Sequence, residues 1–273
     1  MDKMELTKKE FTLFKEYIYE HIGISLSEQK IYLVQARLAK RVKQLGLEGF
    51  SAYYYALVND ASGKEFEYLC SLISTNVTSF FRESKQWEFW KTHLSTMIAG
   101  KNNRLRIWSA ACSTGEEPYS IAMFLDENLP SAAHFDVKIL ATDVSPRVLK
   151  EASEGVYGPK AIANLSQSYL SRYFERAESS GSFRVKESLK RPITFRAFNL
   201  VTGNFNLFKG KQFDIIFCRN VMIYFDKPTQ QALVDRFFEM LSPGGYLFIG
   251  SSEALTDARK GLKSRSASIY QKV

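Results

Sequence analysis

A strand pattern that runs directly into a small-residue loop and then a helix start constrains this chain more than any other feature. It occupies residues 104–120, RLRIWSAACSTGEEPYS. Leu105, Ile107 and Trp108 form the apolar run, and residues 109–115 are almost all small. Glu116, Glu117 and Pro118 sit where a first helical turn tolerates acids and proline. A parallel strand of this kind delivers its C-terminal end to a tight loop beneath a ligand, the usual binding position in open α/β sheets. Phosphate cradles combine backbone N–H groups with a lysine, whereas two carboxylates follow Gly115 here. The loop therefore suits a cationic or hydroxyl-bearing cofactor, the plainer alternative being two solvated glutamates at a helix N-terminus.

From Arg104 onward strand and helix patterns alternate, which predicts an α/β fold with a parallel sheet and crossover helices. Strands are expected over 104–109, 137–142, 192–198, 213–218 and 246–250, with helices over 117–128 and 228–241. The run FDIIFC at 213–218 is apolar enough for a central strand. Strand 137–142 ends on Asp143, where an acid holds ribose hydroxyls in nucleoside sites, although Asp143-Val144-Ser145-Pro146 is also a plain helix-start turn. Between about 152 and 191 the rhythm breaks: a short helix near 166–174, a turn at 178–182 and an alternating strand at 183–185 predict a small antiparallel insertion. SPGG at 242–245 predicts a turn, and 267–272 an antiparallel edge strand.

Residues 1–82 read as short helices. Thr7 and Glu10 form a capping box ahead of Phe11, Phe14 and Ile18, and Gly23 ends the pattern. In a helix over 28–45, Ile31, Val34, Leu38, Val42 and Leu45 share one arc while Lys30, Arg37 and Arg41 line its flank. Lys40 and Lys43 extend the charge, and no acid lies between Lys30 and Lys43, so this face is either ordinary solvated surface or a dock for an acidic partner. Helices over 51–58 and 64–73 follow. Residues 76–82, NVTSFFR, form an irregular segment before a helix over 83–99; Asn76, Thr78 and Arg82 supply an amide, a hydroxyl and a cation there, or simply cap and flank two core phenylalanines.

A length of 273 residues suggests two units, and a net charge of +8 suggests an anionic partner: nucleic acid, a membrane surface or an acidic protein. No apolar run approaches the roughly 20 residues of a membrane span, and residues 1–20 carry charges where a signal peptide needs an apolar core, so a cytoplasmic location is expected. Cys70, Cys112 and Cys218 are too few and scattered for a disulfide framework, and His21, His93 and His134 show no ligand spacing, so no metal is expected.

LSPGGYLFIG at 241–250, behind an acid-tipped second strand and a small-residue first loop, resembles S-adenosylmethionine-dependent methyltransferases with a Rossmann-like sheet, although the loop keeps only Gly115 of the usual Gly-x-Gly-x-Gly. With NVTSFFR, ACSTGEEPYS, Asn199-Leu200 and CRNVMIYF at 218–225, the chain is similar over nearly its whole length to the chemotaxis receptor glutamate methyltransferases, the CheR family. That resemblance implies a Rossmann-like class I methyltransferase domain over 83–273 with a β-subdomain insertion at about 152–191, preceded by an all-helical receptor-docking domain and hinge over 1–82. It implies methyl transfer from S-adenosylmethionine to glutamate carboxylates on the cytoplasmic methylation helices of chemoreceptors, leaving S-adenosylhomocysteine. By motif, Asn76, Thr78, Arg82 and Glu117 would border the cofactor, Asp143 would hold its ribose, Asn199 and Leu200 its adenine, and Arg219 with Asn220 its methionine end. Arg82 and Tyr224 would lie nearest the transferred methyl, and Lys30, Arg37, Lys40 and Arg41 would dock the receptor. A monomer without membrane insertion is expected, and the short turn at 178–182 argues against tethering of a receptor C-terminal peptide. A nucleic-acid methyltransferase would share the fold, but Arg219-Asn220-Val221-Met222 stands where base-amino methyltransferases carry Asn-Pro-Pro-Tyr-like residues. A non-catalytic receptor-binding or cofactor-sensing module is the third reading.

Overall fold

The computed structural model describes residues 4–74, 76–129, 134–178, 181–255 and 259–273. Helices α1 (Lys8–Ile22), α2 (Ile31–Gln44), α3 (Phe50–Val58) and α4 (Lys64–Ile73) pack through Phe11, Phe14, Ile18, Val34, Leu38 and Tyr53. The capping box opens α1: the Glu10 N–H donates to Thr7 Oγ1, and the Thr7 N–H donates to Glu10 Oε2 at 2.9 Å. The expected long second helix begins instead as a 3₁₀ turn, Glu28–Lys30. Leu45, placed on the apolar arc by periodicity, is exposed, because α2 stops at Gln44 and the chain turns before Leu45 can face the core.

Helix α5 (Ser84–Ile98) leads into β1 (Arg104–Ser109), α6 (Glu116–Asn128), β2 (Asp136–Asp143) and α7 (Pro146–Glu154). The next segment holds β3 (Val156–Tyr157), α8 (Pro159–Ile162), α9 (Gln167–Tyr173), β4 (Phe174–Arg176), β5 (Phe183–Val185) and α10 (Glu187–Lys190). Its strands form a small antiparallel sheet in the order β3-β5-β4. The Ala177 N–H donates to the Ser182 carbonyl across the turn expected at 178–182; positions 179 and 180 of that turn lie outside the described residues.

The chain then completes the main sheet with β6 (Ile193–Ala197), β7 (Phe213–Cys218), α11 (Lys227–Met240), β8 (Leu241–Ile249), β9 (Leu262–Ser266) and β10 (Ile269–Lys272). Among the described residues the sheet runs β6-β2-β1-β7-β8-β10-β9, parallel through β8 and antiparallel beyond it. Two expectations at this edge are corrected. SPGG is not a turn before the last parallel strand but part of β8, whose register against β7 shifts between Phe213 and Ile215. The C-terminal strand is not the edge: β10 pairs with β8 on one side and β9 on the other, and β9 takes the edge. One sheet face shares a continuous apolar core with the N-terminal helices through Trp108, Phe198 and Phe237, while Trp90, Phe124 and Phe248 fill the other. No helix among the described residues is long and apolar enough to cross a membrane.

Candidate active site

Strand order reverses between β1 and β7, since β2 and β6 lie beyond β1 while β8 lies beyond β7. At such a switch point the loops leaving the two strands diverge and open a crevice at their C-terminal ends. A cleft lies there, and the hinge segment 76–82 and the end of α1 close it from the helical side.

The loop after β1 stays tied to the sheet, with the Ala110 N–H donating to the Phe217 carbonyl at 2.8 Å and the Cys112 N–H to the Thr142 carbonyl at 2.9 Å. It then turns at Gly115, whose φ of +98° lies in the left-handed region. A Cβ there would stand 2.9 Å from both Ala152 Cβ and Tyr157 Oη, so glycine is required by conformation and by space. Gly115→Ala should therefore lower stability by about 2–4 kcal/mol, combining left-handed strain with overpacking, and a denaturant titration would measure it.

Every residue that the motifs suggested for cofactor or catalysis lines this cleft. The hinge contributes Asn76, Thr78 and Arg82; α6 contributes Glu117; the tip of β2 contributes Asp143. Asn199 and Leu200 come from the loop after β6, and Arg219, Asn220 and Tyr224 from the loop after β7. Asp143 accepts the Ser113 N–H at 2.9 Å and the Ser145 N–H at 3.0 Å, and burial pushes its pKa above the ordinary value despite those donors. The Val144 N–H also acts on this carboxylate, and among its roughly four acceptor sites one remains for a hydroxyl donor. Asn199 serves the architecture as well: its Nδ2 donates to the His21 carbonyl at 2.6 Å, and its Oδ1 accepts the N–H groups of Val201 and Thr202. Its carboxamide fastens α1 to the sheet, leaving the buried Leu200 and Phe198 as the apolar wall.

The electrostatic centre is Arg219, only 7% exposed. Its Nη1 donates to Glu117 Oε2 at 3.0 Å, and its Nη2 donates to Glu83 Oε2 at 3.1 Å and to the Arg82 carbonyl. Its Nε is buried and has no hydrogen-bond partner among the described residues. An unsatisfied buried donor is costly, and a ligand carboxylate would remove that cost. The chain thus presents an acid for a ribose, an apolar wall for a base and an orphaned guanidinium donor for an amino-acid carboxylate, a set that fits S-adenosylmethionine.

Glu83 and Glu253 organise the loop after β7 and were invisible to motif reading. Glu253 is buried and accepts the N–H groups of Gly250, Asn220 (3.0 Å) and Ile223 (3.2 Å), holding Asn220 in a left-handed turn at φ +58°. Nothing in the local sequence marks an acid 33 residues away as the acceptor for Asn220.

The helical docking residues behave differently. Arg41 pairs with Glu65 through both Nε and Nη2 and lies over the Tyr68 ring, so its charge is consumed in joining α2 to α4. Arg37 is half-buried and donates to the Ile73 carbonyl at the end of α4. Lys30 is also half-buried, whereas Lys40 and Lys43 are exposed. The structure therefore separates the arginines, which brace the helical unit, from Lys40 and Lys43, which face solvent.

Comparison with known proteins bears on this geometry directly. Residues 76–270 match the CheR methyltransferase, SAM binding domain, and residues 9–74 match the CheR methyltransferase, all-alpha domain. The chain belongs to the CheR methyltransferase family. It is 39% identical to the chemotaxis protein methyltransferase of Borreliella burgdorferi, over 98% of this chain and 96% of the relative. It is 39% identical to chemotaxis protein methyltransferase 2 of Pseudomonas aeruginosa, covering 97% and 93%, and 35% identical to the chemotaxis protein methyltransferase of Escherichia coli, covering 98% and 92%. This CheR-family chain is an S-adenosylmethionine-dependent methyltransferase acting in chemotaxis, and its cofactor is S-adenosylmethionine.

Proposed function

We propose that the chain is a protein-glutamate O-methyltransferase that esterifies side-chain carboxylates on the methylation helices of chemoreceptors, with residues 1–82 as the docking unit. One observation carries the reading. Both cleft carboxylates already have donors, Glu117 from Ser109 and Arg219 and Asp143 from backbone N–H groups, while Arg82 places a half-buried cation in the cleft. A site so equipped receives an anion, and its two carboxylates have other work, Glu117 holding Arg219 and Asp143 reserved for a ribose hydroxyl. A glutamate acceptor, with an unperturbed pKa near 4.3, is already ionised and nucleophilic at neutral pH. Bound S-adenosylmethionine supplies a methyl group on a sulfonium, which a carboxylate can accept without a proton-transfer step. The protein's task is then to align the acceptor and exclude water, contributions that reach about 7–11 kcal/mol in favourable cases. Arg82 orients the carboxylate, and Tyr224 closes over the reacting groups. The apolar wall of Phe198 and Leu200 with Asp143 seats the nucleoside, and Arg219 takes the amino-acid end.

The deciding experiment incubates the protein with methyl-tritiated cofactor and a soluble receptor signalling fragment. Label that mild alkali releases as volatile methanol, and that disappears when the acceptor glutamates become alanine, is expected; alkali-stable label, or label on RNA instead, would overturn the reading. Docking falls to the exposed lysines. Reversing Lys40 and Lys43 together should raise KM for receptor several-fold with an effect that fades in high salt. Arg41→Glu should instead destabilise the helical unit, since it sets two acids against each other at Glu65.

A further inference from the structure

Glu83 occupies the N-cap position of α5, where an acid ordinarily accepts the helix's free N–H groups, yet its side chain makes no capping bond. Its carboxylate is directed into the site network instead. Oε1 accepts the Ser251 N–H at 3.0 Å, the Ser251 hydroxyl at 2.9 Å and Asn220 Nδ2 at 3.2 Å, and Oε2 accepts Arg219 Nη2 at 3.1 Å. One side chain, 13% exposed, thereby joins the hinge to the loops after β7 and β8. Its backbone φ is +63°, and Phe81 two residues earlier stands at +51°, so Arg82 is bracketed by two left-handed non-glycine residues. Such conformations persist where surrounding contacts impose them, and they gather at functional sites.

We propose that Glu83 is a positioning residue of the cofactor site, fixing the Arg219 fork so that Nε is the donor left for the ligand carboxylate. The geometry of the fork carries this. Glu117 holds Nη1, and Glu83 with the Arg82 carbonyl holds Nη2, so the guanidinium plane cannot turn and the orphaned Nε keeps one direction. The anionic form of Glu83 is the one that serves. Burial works against its charge, but the Ser251 N–H and Arg219 outweigh burial and hold the carboxyl below the ordinary carboxylate range. The proposal rests on the cofactor assignment and is independent of the acceptor's identity.

The test is calorimetry with S-adenosylhomocysteine on Glu83→Gln and Glu83→Gly, with thermal unfolding of each. Gln keeps the shape and removes the charge. Gly removes the carboxylate while suiting the left-handed backbone, so it relieves strain instead of adding it. Both variants are expected to bind about tenfold more weakly than the wild type, with Glu83→Gly unfolding somewhat earlier, because the relieved backbone strain only partly offsets the lost partner of buried Arg219. A weakening of about fivefold or more in a folded variant supports the proposal, and a smaller change overturns it, whatever happens to the unfolding temperature. If Glu83→Gln does not fold, Glu83→Gly decides by the same criterion. Wild-type protein that fails to bind S-adenosylhomocysteine would reject the cofactor assignment itself, an outcome distinct from normal binding by the variants.

Discussion

Replacing Arg219 with methionine should both weaken the fold and abolish measurable cofactor binding, the largest combined effect expected of any single side chain here. The methionine fills much of the arginine stem's volume but leaves Glu83 and Glu117, each 13% exposed, without the cation they share. Removing one partner of a buried ion pair costs about 3–5 kcal/mol, because the other charge stays buried and uncompensated. For a chain of this size the melting temperature should drop by on the order of 10 °C. Calorimetry should show the affinity for S-adenosylhomocysteine reduced at least about 100-fold, since the orphaned Nε and the shaping of the Arg82 backbone are lost together. The pH dependence has a definite sign. Glu83 has a folded pKa below its ordinary 4.5, so its stabilisation is fully present above that value and is lost as pH falls through the lower folded one. Arg219 is one of the causes of that depression, so the deficit of the variant should be widest near neutrality and should narrow in acid. A variant that unfolds and binds like the wild type would remove Arg219 from the centre of the site.

That centre was only half legible in the sequence, for reasons visible in particular residues. Strands β1 and β7 have apolar runs because both of their faces are covered, and Asp143 and Gly115 could be read because a strand tip and a left-handed turn impose local residue types. Strand β9 could not: LKSRS buries only Leu262, so it offers neither an apolar run nor an alternation. The partners of Arg219 lie 136 and 102 residues away, at Glu83 and Glu117, and Glu253 reaches back 33 residues to Asn220. Pairings of that kind leave no periodic trace. Arg41 shows the opposite hazard. Its place on a basic helix flank suggested an exposed docking charge, whereas Glu65 on α4 claims it, and only the packing of two helices reveals that.

Arg82→Ala should leave the fold and the Arg219 network intact while lowering turnover about 100- to 1,000-fold, the usual loss when one charged group that stabilises the reacting state is removed. The separation is possible because Arg82 plays its two parts through different atoms. Its carbonyl accepts Trp87 Nε1 at 2.9 Å and Arg219 Nη2, contacts that any residue at this position retains. Among the described residues its guanidinium donates from Nη1 to the Val77 carbonyl at 2.7 Å, which shapes the hinge and keeps the half-buried cation in the cleft. Truncation therefore removes the charge proposed to meet the acceptor and little of what is proposed to hold the cofactor, so affinity for S-adenosylhomocysteine should change less than about tenfold while kcat collapses. Arg82→Lys should recover only part of the rate, because an ammonium gives a point charge where the guanidinium offers a planar two-donor edge to a carboxylate. Steady-state kinetics against a receptor fragment, read beside calorimetry on the same preparations, separates the two terms. Near-normal turnover in Arg82→Ala would show that the acceptor carboxylate is oriented by something other than the hinge.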